Sequence, residues 1–64
     1  MNAYVVTRSI DYEGIVNVWV VAAETEDLAL DFIHDTQDTS RYDLNANKIY
    51  GITVNSDIIT AQEL

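Results

Sequence analysis

Alternation of apolar and polar positions divides the chain into four strand-like segments and one helical one. Over residues 3–10 (AYVVTRSI), Tyr4, Val6 and Ile10 share one parity with Arg8 as the exception, and the β-branched and aromatic content predicts a first strand. Asp11-Tyr12-Glu13-Gly14 follows, with Asp first and Gly fourth as a type I turn prefers, so a hairpin is expected. Residues 15–23 (IVNVWVVAA) predict the second strand, with Val16, Val18, Val20 and Ala22 on one face and Ile15, Asn17, Trp19 and Val21 on the other. The uniformly aliphatic valine face is the better match for a core, which leaves Trp19 partly exposed.

Residues 25–38 (TEDLALDFIHDTQD) read as the single helix, with Leu28, Ala29, Phe32 and Ile33 on one side. Thr25 is placed to cap the free N–H groups, and Glu26 and Asp27 favour the positive end of the dipole. Residues 39–47 form a polar stretch without periodicity, expected as a loop anchored by Tyr42 and Leu44, with Arg41 neutralising a neighbouring aspartate. Residues 48–55 (KIYGITVN) predict a third strand, in which Gly51 marks a bulge or a close approach, and residues 57–62 a short fourth.

The order β-β-α-β-β predicts a two-layer α+β domain spanning residues 1–64, with the helix on one face of an antiparallel sheet. A right-handed crossover through the helix gives the strand order 2-1-3-4. The second sheet face, carrying Ile15, Trp19 and Val21 with Ile49 and one of Ile58 and Ile59, is then apolar and a candidate homodimer face.

Charge changes the picture more than composition does. Sixty-four residues that are 48% hydrophobic can form one small core, and the absence of cysteine removes disulfides and thiolate metal sites, favouring a cytoplasmic protein. Eleven acidic against three basic residues give a net charge of −8, which repels nucleic acid and anionic membrane and favours a strongly basic protein partner. No apolar run reaches the roughly 20 residues of a membrane span.

The helical segment holds five of the eleven acids. Asp27, Asp31, Asp35 and Asp38 form a stripe at spacings of four, four and three, against the stability of the helix: like charges four apart repel, and Asp35 and Asp38 oppose the dipole. Carboxylates four apart lie about 6 Å apart along the axis, near the roughly 6.8 Å of two phosphate steps along a DNA strand. The stripe, extended by Glu24, Glu26 and Asp43, is the candidate partner-binding surface.

Enzymatic chemistry finds no footing. Asp31-x-x-His34-Asp35 offers neighbouring metal ligands but no further ligand set, so no metal or other cofactor is expected. The carboxylates lie on an open face rather than in a cleft that would raise a pKa, and Ser9, Ser40 and Ser56 have no triad context. Two glycines, Gly14 and Gly51, make no phosphate loop.

A very small, cysteine-free, strongly acidic chain with one helix on a short antiparallel sheet resembles the anti-CRISPR proteins of bacteriophages and mobile elements. Tyr4-Val5-Val6, Asp11-Tyr12-Glu13-Gly14 and Ala29-x-x-Phe32-Ile33 also look like the strand, turn and helix of small phage domains. The resemblance implies a DNA mimic that occupies the basic surface where a CRISPR effector complex reads the protospacer-adjacent motif or holds target DNA. Two other readings fit the same residues: a mimic aimed at a restriction, repair or nucleoid protein, and a structural or regulatory module that dimerises through its apolar sheet face.

Overall fold

In a computed structural model that describes all 64 residues, Met1–Leu64, the chain runs β1 (Asn2–Ile10), β2 (Gly14–Ala23), α1 (Glu26–Gln37), a 3-10 turn (Arg41–Asp43), β3 (Leu44–Thr53) and β4 (Thr60–Glu63). The four strands form one sheet with all neighbours antiparallel, and α1 packs on one face, as expected for a two-layer α+β domain. β1 lies between β2 and β3 as in the expected order. The full order is β3-β1-β2-β4, so β4 extends the sheet from β2 rather than from β3. Its route is set at the end of β3, where the Val54 N–H donates to the Met1 carbonyl at 2.7 Å, and by Ile59, which packs on the core before β4 begins.

α1 is specified locally at its start and opposed at its end. Thr25, in extended conformation, accepts the Leu28 N–H on Oγ1 at 3.2 Å, and Glu26 and Asp27 occupy the first turn. Asp38 closes the helix in the left-handed conformation, φ 53° and ψ 47°, where glycine or asparagine is usual. The buried line is Ala29 and Ile33, flanked by the partly buried Leu30 and Phe32. Leu28, expected on that line, is 42% exposed because at 3.6 residues per turn it sits about 120° from its centre.

The inward face of the hairpin is the reverse of the expected one. Trp19 and Val21 are buried under α1, at 3% and 0% exposure, while Val18 and Val20 are half-buried on the open face and Val16 is exposed. The register explains it. Tyr4 pairs with Val21 and Val6 with Trp19, so one parity collects both large aromatic side chains, and these bury more area against a helix than three valines do. Ala23, Ala29 and Ala46 make the room. The Trp19 indole N–H has no acceptor, a cost of about 1–3 kcal/mol set against the burial of the ring. Trp19 and Val21 therefore do not belong to an open dimer face. Ile15 is 62% exposed at the start of β2, beside a one-residue register shift that leaves Val16 unpaired.

β3 begins four residues earlier than its pattern suggested, at Leu44. Leu44 and Ala46 face the helix layer opposite Arg8 and Val6, and Asn45 and Asn47 face away, so polar residues on the solvent parity disguised a strand as a loop. Leu44 packs on the core as expected, but Tyr42, the other expected anchor, is 101% exposed. Ala3 pairs with Ile49 and Asn2 with Thr53, which leaves Tyr50, Gly51 and Ile52 bulged out of register. Gly51 has φ 81°, and a Cβ there would meet nothing within 4 Å, so conformation rather than close approach demands glycine.

The hairpin turn also shifts by one residue. Glu13 N–H donates to the Ile10 carbonyl at 3.0 Å, and Tyr12 takes φ 72° while wholly exposed. Tyr12→Gly should therefore raise the melting temperature by a few degrees, and Gly51→Ala should lower it by a similar amount, because only the first relieves a left-handed side chain. Trp19→Ala should cost about 3–5 kcal/mol, most of the stability of a chain this size, and abolish a cooperative thermal transition.

Candidate protein-binding site

The carboxylates proposed for binding sit on α1 and its flanks. Glu24 precedes the helix, Glu26 and Asp27 occupy its first turn, Asp31 its middle and Asp35 its last turns, while Asp38 closes it and Asp43 ends the 3-10 turn. All are exposed except Asp31, which is half-buried. The short 3-10 turn is held by Ser40, whose Oγ accepts the Tyr42 N–H at 3.2 Å, and it projects Arg41 back over the helix.

Arg41 divides the aspartate stripe. One guanidinium nitrogen reaches Asp31 Oδ1 at 2.7 Å and the other Asp27 Oδ1 at 3.3 Å, so the expected neutralisation falls on two aspartates. The side chains remain open to water, with Asp27 86% exposed, and a pair of this kind contributes little to stability. Asp35 and Asp38 touch no cation. Of the eleven carboxylates only Asp27 and Asp31 do, because the other two basic side chains are engaged elsewhere. Arg8 donates to Asn17 Oδ1 at 2.9 Å, Asn17 in turn donates to Glu63 at 2.8 Å, and Lys48 lies 5.4 Å from the centre of the Tyr50 ring.

Tyr42 is the residue that pattern reading misplaced. It stands free between Arg41 and Asp43, a rigid amphipathic ring on the rim of an acidic surface, and aromatic side chains so placed are common anchors in protein interfaces. Its place in a polar stretch without periodicity was the available signal.

His34 closes the helix end through a hydrogen bond between Nδ1 and the Thr39 carbonyl. No three His, Asp or Glu side chains converge on a point where a metal ion would sit, and Asp31, His34 and Asp35 do not form such a group. No helix is long and apolar enough to cross a membrane. Comparison with known protein families, curated proteins and solved structures found no match for this chain.

Negative charge on the last turn of α1 works against the helix. Asp38→Asn keeps a side chain that tolerates the left-handed conformation and removes a charge from the negative end of the dipole, so it should raise the melting temperature by one to a few degrees. Added salt, from low to moderate concentration, should raise the wild-type melting temperature as well, and by less in the Asp38→Asn variant. Thermal melts followed by circular dichroism measure both.

Proposed function

We propose that this protein is an acidic inhibitor that binds the basic nucleic-acid-binding surface of another protein, presenting carboxylates where that surface expects phosphates. The observation that carries this reading is the charge layer itself. Seven carboxylates, Glu24, Glu26, Asp27, Asp31, Asp35, Asp38 and Asp43, lie on or beside one helix, with Arg41 as the only lysine or arginine among them and His34 in the last turn. A helix under selection for stability alone would interleave lysines and end on glycine or asparagine.

The target class is a protein with a Lys/Arg-lined nucleic-acid channel. A CRISPR effector complex fits the likeness to DNA-mimic anti-CRISPR proteins, and restriction, repair and nucleoid proteins offer the same chemistry. Binding proceeds without catalysis, by long-range attraction followed by local pairing, with Tyr42 packing at the rim. A partner arginine replaces Arg41 on Asp27 and Asp31.

Affinity capture from a bacterial lysate at low salt supplies the partner, and variants of the layer test the mode of binding. Single Asp→Asn changes at positions 27, 31, 35 and 38 should each weaken binding by up to about fivefold, the share of one exposed charge. The quadruple change should abolish it with the fold intact. Arg41→Gln should strengthen binding and steepen its salt dependence, and duplex DNA should compete. The uncharged outer face of the sheet favours a second reading, a structural or regulatory module whose acid serves solubility. Under that reading the quadruple variant binds its partner normally, and such a result removes charge imitation.

A further inference from the structure

We propose that the outer face of the sheet, opposite α1, is the contact surface for a second copy of this chain, giving a weak face-to-face homodimer. Register and parity define the face. Val5, Val18 and Val20 form its centre beside the side chain of Thr7, and Ile49 continues it on β3; all five are half-buried with no element of the chain covering them. Asn45 and Asn47 on β3, with Thr60 and Gln62 on β4, frame this centre and are exposed.

In a chain of net charge −8 this face carries no charged side chain. The three charged side chains on its central and outer strands fall on the other parity: Arg8 opposite Asn17, Lys48 opposite Tyr4, and Glu63 opposite Trp19. Every remaining carboxylate lies in a turn, in the 54–59 link, on the 3-10 turn or on and beside α1. A basic partner has nothing to pair with here. The rim is made of amides and a hydroxyl, side chains that both donate and accept and so can pair with copies of themselves, which carboxylates and ammonium groups cannot do. An apolar centre inside a neutral, self-complementary rim is what an isologous contact needs.

Electrostatics permits this arrangement despite two charges of −8. Face-to-face sheets sit about 10 Å apart, and a helix layer of about 10 Å lies outside each, so the two acidic surfaces are held roughly 30 Å apart. The Debye length at physiological salt is about 8 Å, which leaves little repulsion between them. Size sets the strength. Four strands at about 4.8 Å spacing and six residues at about 3.3 Å give a footprint of roughly 400 Å² per copy, about half the roughly 800 Å² per partner of a standard specific interface, so the dimer is a weak, transient one, in the micromolar range or weaker. An open hollow of about 310 Å³ beside Val20, lined also by Ala3, Val54 and Gln62, offers a seat for an aliphatic side chain of the second copy. Only ten of the 64 residues are buried in the single chain, and the contact gives this thin core a second layer.

Sedimentation equilibrium of the full chain from about 5 µM to 1 mM, at low and moderate salt, tests the proposal. A monomer–dimer equilibrium that tightens with added salt is expected, opposite in sign to the binding of a basic partner, so the two surfaces stand or fall separately. The paired change Asn47→Asp and Gln62→Glu alters only exposed positions and should weaken dimerisation at least tenfold, with the circular dichroism spectrum unchanged. Val20→Asp should do the same if it folds. On dilution, amide NMR shifts should concentrate at Val5, Val18, Val20 and Ile49. A monomer across the whole range, a dimer insensitive to the rim pair, or shifts confined to the hairpin tip around Tyr12 and Ile15 would each overturn it.

Discussion

The seating of Trp19 beneath α1 is the constraint on which the other features depend. Once Val6 pairs with Trp19 and Tyr4 with Val21, the pleat sends both aromatic side chains to one side, and that side must receive the helix. Ala29 lets the helix approach, and Ile33 fills the space beside it. A one-residue slip in the hairpin would exchange the faces and put Trp19 in water. The bulges absorb irregularity at both ends of β1, one near Val16 and one at Tyr50–Ile52, without disturbing the central register.

That choice of face also sorts the charges. With the helix on the Trp19 side, Asp27, Asp31, Asp35 and Asp38 are carried on the far surface of the helix layer with Glu24 and Glu26 at its N-terminal end, and the opposite sheet surface is left without a charged side chain. The molecule then has two surfaces that differ in kind, one strongly acidic and one without a charged side chain. Stability is given up on the acidic side, in the left-handed Asp38 and the unrelieved Asp35, and on the hairpin tip, where Tyr12 occupies a conformation better suited to glycine. Arg41 moderates the repulsion between Asp27 and Asp31 but is too exposed to lock them.

How much of this was legible in the chain follows from which signals are local. The helix was readable to within a residue at each end because Thr25 and the 3.6 period are local features. The hairpin was readable from its turn residues, though not the one-residue offset that puts Tyr12 in the left-handed region. The inward face of β2 was not, because both of its faces are apolar and parity is decided by cross-strand partners rather than by β2 itself. β3 was shortened because Asn45 and Asn47 broke an alternation that Leu44 and Ala46 sustain on the inward side. The position of β4 depends on how the 54–59 link passes the sheet, a long-range matter with no local signature. The acidic stripe was legible because it rests on helical spacing alone. The reach of Arg41 to both Asp27 and Asp31, and the freedom of Tyr42, came only from the fold of the turn between α1 and β3.

Trp19 is the only tryptophan in the chain, so its fluorescence reports one environment without ambiguity. The decisive measurement is its emission and its quenching by acrylamide, recorded at concentrations low enough to keep the protein monomeric. With Trp19 beneath α1, emission is shifted to the blue of free tryptophan and quenching is slow, in the wild type and in the Asn47→Asp, Gln62→Glu variant alike. Emission at the position of free tryptophan with rapid quenching would place Trp19 on the open face, exchange the two sides of the sheet and contradict the separation of an acidic layer from an uncharged one.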